Sequence, residues 1–364
     1  MDCSLALKCS VIMWFNLFTS ISSQAPVAKP KLSALFVFGD STVDAGNNNF
    51  ITTPMKSNFP PYGRDFINHI PTGRFTNGRL VSDFIASYTG VKDIVPAYLD
   101  PTLTVADLMT GVCFASAGSG LDPMTASLSS AISMEQQMVY FKEYKSKMEM
   151  LIGKENTMNL IEKAVFMLST GTNDFFVNYY GIGEPVTQYM YPNVTSYRDF
   201  LFQNIEQFIK ELMNEGARKI AMVGLPPMGC LPEVITMNTY AATHGRICVE
   251  PMLSVATDYN VNLQNKLKDM QTADTKLYYA DIYKPILDMI QSGTTKLGFE
   301  EVSVGCCGTG YVEAAGLCNM NSAICDDASK YVFWDAVHPT EEAYYYIFTV
   351  LRPVVDKVLS DYIN

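Results

Sequence analysis

Five short apolar runs recur along the chain, and each is rich in residues that favour β-strands. The runs cover residues 34–38, 112–115, 164–169, 219–223 and 276–280. Each run is continuous rather than alternating, as is typical of strands that are buried on both faces of a parallel sheet. The pattern therefore predicts five buried strands.

Between these runs, apolar residues recur at helical spacing. The segment RLVSDFIASYTG is amphipathic and ends at Gly90, and the segment SYRDFLFQNIEQFIKELMNEGARK stops at Gly216. Two further segments, PMLSVATDYNVNLQNKLKDM and TEEAYYYIFTVLRPVVDKVL, are also predicted to be helices. Strands that alternate with helices predict an α/β fold with a mainly parallel five-stranded sheet and helices on both faces.

Polar and glycine-rich tails follow four of the predicted strands. Gly39-Asp40-Ser41 follows the first, ASAGSG the second, TGTND the third and GLPPMGC the fourth. The carboxyl ends of parallel strands share one edge of the sheet, and open α/β sheets bind their ligands there. We therefore expect a reaction site at this edge. Because the sequence contains no internal repeat and no long linker, we also expect a single domain over residues 24–364.

Charge and composition narrow the range of partners. Of the 364 residues, 48% are hydrophobic and 17% are charged, and the net charge is -11. The composition is typical of a globular protein. An acidic chain repels phosphate backbones, so we expect no nucleic-acid partner.

The first residues have the pattern of a targeting segment. Lys8 precedes an apolar run over residues 11–19, small residues follow, and cleavage is expected after Ser22 or Ser23. The run is shorter than the roughly 20 residues that cross a bilayer. We predict a signal peptide over residues 1–23 and a secreted, extracellular or cell-wall protein without a stable membrane anchor. A disordered or membrane-tethered N-terminus is the alternative.

The cysteines that remain after this segment favour disulfides over a metal site. Six cysteines are candidates for bridges, which leaves Cys113 unpaired: Cys230, Cys248, Cys306, Cys307, Cys318 and Cys325. Their connectivity stays open. A zinc site is disfavoured, because paired CxxC or nearby histidine spacing is missing. Asn193-Val194-Thr195 is a sequon for N-glycosylation, which agrees with export.

Ser41 is the candidate nucleophile, and its chemistry requires a base. A serine hydroxyl becomes a good nucleophile when a base takes its proton, and the base is most often histidine. His338 follows Asp335 by three residues in DAVHP, so the carboxylate can reach one imidazole nitrogen and leave the other for a serine. His69 is a rival in a loop rich in proline and glycine, and His244 has no carboxylate nearby.

An acyl-transfer site also needs hydrogen-bond donors for the oxyanion that develops during the reaction. We expect three donors: the backbone N–H groups of Ser41 and Gly118, and the side-chain amide of Asn173. Each of these signals is weak when it is taken alone, because a glycine in a loop usually only forms a turn.

Several nearby residues have simpler interpretations. Asp40 is expected to cap a following helix. Asp44, the Asn47-Asn48-Asn49 run and Asp174 are expected to hold loops through side-chain bonds to the backbone. Cys113 lies in an apolar strand, where a buried and inert thiol is expected.

Four sequence blocks stand in a specific order: FGDSTVDAGNNN, FASAGSG, STGTND and DAVHP. Further blocks are GRFTNGR, GLPPMGCLP, CCGTG and DASKYVFWDAVHPTE. Together they resemble the GDSL esterase/lipase family of the SGNH hydrolase superfamily, and closely its secreted plant branch. The resemblance runs from Leu35 to the C-terminus.

The resemblance implies a three-layer α/β/α, flavodoxin-like fold without a metal or other cofactor. It implies that Ser41 is the nucleophile, that Asp335 and His338 are the acid and base, and that Gly118 and Asn173 join the Ser41 N–H as oxyanion donors.

Two residues depart from the family's blocks. Thr42 stands where the naming motif has leucine, and Cys113 stands where the second block often has asparagine. Neither departure removes a catalytic group, but Cys113 is expected to alter the hydrogen bonding behind Gly118.

The expected function is a secreted serine esterase or lipase that cleaves esters of lipids, acylated sugars or small alcohols through an acyl-enzyme. One alternative is an acyltransferase that uses the same site with a sugar or alcohol acceptor. A catalytically inactive binding protein is the other. An α/β-hydrolase is disfavoured, because Ser41 does not lie in a G-x-S-x-G elbow.

Overall fold

The computed structural model describes residues 32–361, so the predicted signal peptide, residues 1–23, lies outside the described residues. Four parallel strands form the central sheet in this order: β1 (Leu35–Gly39), β2 (Val165–Ser169), β3 (Lys219–Val223) and β4 (Lys276–Ala280). A separate parallel pair joins β5 (Glu301–Gly305) to β6 (Tyr331–Phe333). Four of the five predicted apolar runs thus form the strands of the main sheet.

The predicted five-stranded sheet is wrong by one strand. Residues 112–115 lie beside β1 and pair with it at one parallel bridge, between Val37 and Cys113, without forming a regular strand. The Asn47 side-chain amide donates to the carbonyls of Cys113 and Ala115, at 2.9 and 2.8 Å. The outer side of the segment is shared between the Asn47 side chain and a second isolated bridge, from Cys113 to Ala97, so the segment forms an irregular edge rather than a regular strand.

Helices and short turns connect the strands. Within residues 32–361 the α-helices are α1 (Val81–Thr89), α2 (Val105–Met109), α3 (Pro123–Ser129), α4 (Met134–Ile152), α5 (Lys154–Glu162), α6 (Glu184–Met190), α7 (Val194–Asn214), α8 (Pro232–Met237), α9 (Thr239–Thr243), α10 (Glu250–Met270), α11 (Tyr283–Ser292) and α12 (Glu341–Ser360). The four predicted helices correspond to α1, α7, α10 and α12. No helix in this part of the chain combines the length and the apolar character needed to cross a bilayer.

Alternate residues of the strands face opposite layers of helices, because successive side chains of a strand point to opposite faces. The Phe36 ring lies 5.5 Å from that of Phe141 in α4, and the Phe38 ring lies 5.5 Å from that of Phe208 in α7. Leu35 points the other way, into an apolar space that it shares with Leu351 of α12. The fold is therefore α/β, with a parallel sheet and helices on both faces.

All six candidate cysteines are paired in disulfides: Cys230–Cys248, Cys306–Cys325 and Cys307–Cys318. Because these sulfurs are bonded to one another, they are not available as zinc ligands. The second and third bridges pack in a small apolar cluster with Tyr62, Phe75 and Trp334. Cys113 is buried and unpaired, and burial raises the pKa of its thiol. The structure thus places Cys113 as the inert thiol that its apolar surroundings predict.

Candidate active site

Three of the four polar tails meet in one cleft at the carboxyl edge of the sheet, as predicted, whereas no residue of GLPPMGC lines that cleft. The chain leaves β1 toward the irregular edge at residues 112–115 and returns to form β2 on the other side of β1. Ligand-binding crevices form where the strand order reverses in this way. Gly39 ends β1 with a φ of +136°, and a Cβ there would lie 1.9 Å from the Ser169 carbonyl oxygen. Only glycine permits this turn, and Ser41 lies two residues after it.

Ser41, His338 and Asp335 form one chain of hydrogen bonds. The Ser41 Oγ lies 2.8 Å from His338 Nε2, and His338 Nδ1 lies 2.9 and 2.8 Å from the two oxygens of Asp335. With the proton on Nδ1, the imidazole donates to the carboxylate and Nε2 accepts from the hydroxyl. All three side chains are buried.

The Asp335 carboxylate is fixed by more than the imidazole. One oxygen accepts the backbone N–H groups of Val337 and His338 at 2.8 and 2.7 Å, and the other accepts the Tyr62 hydroxyl at 2.7 Å. Burial, followed by the nearby Asp335 charge, raises the pKa of Tyr62 well above its usual value. Sequence reasoning missed Tyr62, because nothing near it in the chain indicates a partner 273 residues away.

The segment 73–79, which contains the GRFTNGR block, supports the loop that carries His338. The Phe75 ring lies 4.9 Å from the imidazole, centroid to centroid. The Thr76 hydroxyl donates to the Pro339 carbonyl at 3.0 Å. The block therefore helps to fix the position of the His338 imidazole.

The three expected oxyanion donors line one cleft of about 310 Å³, together with His338. The Asn173 amide donates one hydrogen to the Ser119 carbonyl at 2.8 Å, which orients the side chain and leaves its second hydrogen for a ligand. Within residues 32–361, the backbone N–H groups of Ser41 and Gly118 donate no hydrogen bond. Three donors are thus available beside the serine hydroxyl.

Polar residues of the first block hold the second block in place, as expected. Asp44 accepts the Ala117 N–H at 3.0 Å, and the Asn48 amide donates to the Ala117 carbonyl at 2.9 Å. Burial raises the pKa of Asp44 to about 6. Because Ala117 precedes Gly118, both bonds set the position of the Gly118 N–H relative to Ser41.

Asp40 and Asp174 also hold loops. Asp40 accepts the Thr42 N–H at 3.0 Å and the Thr42 hydroxyl at 2.7 Å, and the segment that follows is a turn instead of the helix expected for a cap. Asp174 accepts the backbone N–H groups of Leu121 and Asp122, both at 2.8 Å. Burial raises the pKa of Asp40 to about 6 and that of Asp174 to about 7.

The two rival histidines do not meet a serine. His69 is exposed, and its Nδ1 pairs with the Arg64 carbonyl, while the Asp65 carboxylate pairs with the Arg64 side chain instead. His244 is exposed as well, and its Nδ1 pairs with the Tyr240 carbonyl at 2.9 Å. Across the described residues, 32–361, there is also no group of three or more His, Cys, Asp or Glu side chains placed to hold a metal ion.

Most of the cleft wall is apolar. Its apolar side chains include Met55, Phe75, Phe176, Val177, Ile182, Met237, Val312 and Leu317. Three of them, Ile182, Met237 and Leu317, are also highly exposed and mark the mouth of the cleft. Glu233 is the one acidic side chain among the residues that line this cleft, and sequence reasoning missed it. A hydroxyl, a base and three donors in an apolar cleft form an arrangement suited to acyl transfer.

Comparisons with known proteins agree with this chemistry. Residues 35–351 match the family model described as GDSL-like Lipase/Acylhydrolase. A GDSL esterase/lipase of Arabidopsis thaliana is 50% identical over 341 residues, which cover 93% of this chain and 90% of the relative. A second one from the same plant is 46% identical over 322 residues, which cover 86% and 87%. The match to a solved acetyl esterase mutant with acetate ion covers 91% of this chain and 99% of that one, at a TM-score of 0.39 and 10% identity.

Proposed function

Because the chain belongs to the GDSL-like lipase/acylhydrolase family and is a carboxylic ester hydrolase, we propose that Ser41, His338 and Asp335 carry out its reaction. The observation that supports these roles is the continuous chain of hydrogen bonds, with 2.8 Å from Ser41 to His338 and 2.8 Å from His338 to Asp335. In this proposal Ser41 is the nucleophile, His338 is the general base and Asp335 holds the imidazole.

The reaction begins when His338 Nε2 takes the hydroxyl proton as the Ser41 Oγ attacks the ester carbonyl carbon. The oxyanion that forms is held by the N–H groups of Ser41 and Gly118 and by the Asn173 amide. The imidazolium then gives its proton to the leaving alcohol, which leaves an acyl-enzyme. Water repeats the sequence on the acyl carbonyl, and the acid is released while Ser41 regains its proton.

Asn173→Ala is expected to lower kcat by about 10²–10³-fold, because it removes the one side-chain donor to the oxyanion. KM should change little, since the amide acts most strongly on the charge that develops in the transition state. The measurement is steady-state hydrolysis of p-nitrophenyl butyrate. Asn204→Ala is the matched control, because Asn204 also donates to a backbone carbonyl, at 3.1 Å, but outside the cleft. Equal kcat values for the two variants would contradict the role of Asn173.

We propose that the substrates are esters with an apolar chain. The support is the wall of aromatic and aliphatic side chains around Ser41 and a volume of about 310 Å³, the lower end of the range for small-molecule sites. Hydrolysis of p-nitrophenyl esters of increasing chain length tests this: kcat/KM should rise from acetate to longer acyl chains. A steady decline from acetate onward would count against an apolar-chain substrate.

Covalent labelling tests the mechanism as a whole. A fluorophosphonate should attach to Ser41, identified by mass spectrometry of the labelled peptide, and excess ester should slow the labelling. A binding protein without activity would not label. An acyltransferase would label too, but with glycerol added it would pass the acyl group from p-nitrophenyl butyrate mainly to glycerol. Release of butyric acid as the main product supports the hydrolase.

We further propose that residues 1–23 are a signal peptide and that the mature protein is secreted and glycosylated. Three disulfides fit an oxidising compartment. Asn193 is exposed at the start of α7, where its side chain accepts the Ser196 N–H at 2.9 Å. Mass spectrometry of the protein from culture medium should find a chain that starts near residue 24, with a glycan on Asn193. An intact N-terminus and an unmodified Asn193 would oppose both proposals.

We also propose that residues 24–364 form one three-layer, flavodoxin-like domain. If residues 112–115 are counted as the second strand in chain order, the sheet has the order 2-1-3-4-5, which is the flavodoxin-like order. A single cooperative thermal transition is expected for one domain. Two separate transitions would indicate two units.

A further inference from the structure

Glu233 brings a carboxyl group into the cleft that contains Ser41 and His338. It lies in the first turn of α8, and its backbone N–H donates to the Ala336 carbonyl at 3.0 Å. Ala336 lies between Asp335 and His338 in the chain, so this bond fixes Glu233 to the loop that carries both residues. The carboxyl group is therefore positioned relative to the reacting atoms.

The Glu233 carboxyl lacks a partner within the protein. Among residues 32–361, no side chain or backbone group donates a hydrogen bond to it, whereas Asp40, Asp44 and Asp174 each accept backbone N–H groups. Burial, followed by the nearby Asp335 charge, raises the pKa of Glu233 to about 7, and His338 lowers it. A half-buried carboxyl without a partner costs free energy, so packing alone does not explain it.

The surroundings of this carboxyl indicate what it can bind. Apolar side chains, among them Phe176, Ile182 and Met237, make up most of the cleft wall, so a molecule that displaces water from the cleft is left to supply the hydrogen-bond partner. An ionised carboxylate only accepts hydrogen bonds, while a protonated one also donates. A hydroxyl group satisfies either form, because it can both donate and accept. A carboxylate or phosphate on the ligand would be repelled by the ionised form.

We propose that Glu233 is a specificity-determining residue that hydrogen-bonds a hydroxyl group of the ester substrate and disfavours anionic esters. This inference rests on the proposed function of Ser41 and His338. A site that bonds a substrate hydroxyl discriminates against the analogue without it, because the protein group is then left unpaired. Since Glu233 is half-exposed, we expect a preference of about tenfold to a hundredfold, which is less than fully buried sites achieve.

The hydroxyl can belong to the alcohol or to the acyl half of the ester. Two pairs of substrates distinguish these two positions. Glycerol monobutyrate and propyl butyrate share the acyl group and a three-carbon alcohol, and differ in the free hydroxyls of the alcohol. Methyl β-hydroxybutyrate and methyl butyrate differ in one hydroxyl on the acyl chain. Monomethyl succinate and methyl butyrate form a third pair, in which a carboxylate replaces a methyl group.

Two variants separate the charge of Glu233 from its hydrogen bond. Glu233→Gln keeps an acceptor and removes the charge, so it should retain most of the hydroxyl preference. Glu233→Leu removes both, so the kcat/KM ratio of hydroxylated to plain ester should fall to about one. Both variants should raise kcat/KM on monomethyl succinate by about tenfold, because the repulsion is gone. Glu250→Leu is the matched control, since Glu250 is exposed in the first turn of α10.

Each ratio compares two substrates on the same enzyme, so a loss of folded protein cancels out. A preference in either hydroxyl pair supports the proposal, and the pair that shows it tells which half of the ester carries the hydroxyl. Wild-type protein without a preference in both pairs, or Glu233→Leu with its preference intact, would overturn it. If plain esters are hydrolysed without a hydroxyl preference, only this inference fails. If no ester is hydrolysed, the proposed function fails with it.

Discussion

Ser41→Ala is expected to lower kcat by roughly 10⁶-fold, the magnitude typical of losing the nucleophile of a catalytic triad. The hydroxyl lies 2.8 Å from His338 Nε2, and without it no acyl-enzyme forms. The free energy of unfolding should change little, because only one oxygen atom is lost. The measurements are hydrolysis of p-nitrophenyl butyrate and thermal denaturation of the same preparation.

Ser169→Ala is the matched control for this prediction. Ser169 ends β2 as Gly39 ends β1, and its hydroxyl pairs with Thr42 at 2.8 Å rather than with the imidazole. Losing that hydrogen bond should cost about tenfold in kcat at most. Turnover by Ser41→Ala at the level of the Ser169→Ala control would show that another group is the nucleophile.

Asp335→Asn is expected to lower kcat by about 10⁴-fold, as the same change does in serine-protease triads. The carboxylate accepts hydrogen bonds from His338 Nδ1, from two backbone N–H groups and from Tyr62. An asparagine amide facing Nδ1 would donate to it and move the imidazole proton to Nε2. In that tautomer Nε2 no longer accepts the Ser41 proton. The rate of fluorophosphonate labelling should fall together with kcat.

Tyr62→Phe distinguishes this effect from a general loss of packing. The variant keeps the aromatic ring and removes one hydrogen bond to Asp335, so kcat should fall by about tenfold, with little change in KM. If Tyr62→Phe and Asp335→Asn lowered kcat equally, the loss would reflect disturbed packing rather than the tautomer of His338.

The strands and the edge at which the site lies were predictable because their cause is local. A strand buried on both faces must be largely apolar: β1 and β2 are buried along their whole length, and β3 and β4 are apolar after an initial lysine. Parallel strands end at a common edge, so the tails with Ser41 and Asn173 had to approach each other. The position of His338 could not be predicted in this way. Its role was inferred from its spacing from Asp335 and from the resemblance to a family.

The features that escaped prediction depend on contacts between distant parts of the chain. Residues 112–115 resemble a strand in sequence, but they form only isolated bridges, to Val37 and Ala97, and the Asn47 side chain binds two of their carbonyls. α4 was missed, because its buried face includes the polar residue Gln137. The Gln137 amide accepts the Gly39 N–H and donates to the Gly39 carbonyl. β6 has only three residues, which is too short for a periodic signal. Glu233 follows a quoted block but has no chemical signal of its own.

The distance along the chain between Ser41 and His338 has a consequence for biosynthesis. The two residues are 297 positions apart, and at about 5–20 residues per second the ribosome needs roughly 15–60 s to pass from one to the other. If the two residues act as proposed, the growing chain during that time presents a nucleophile whose base has not yet been translated. The proposed mechanism therefore implies that an unfinished chain, which lacks His338, cannot cleave the esters around it.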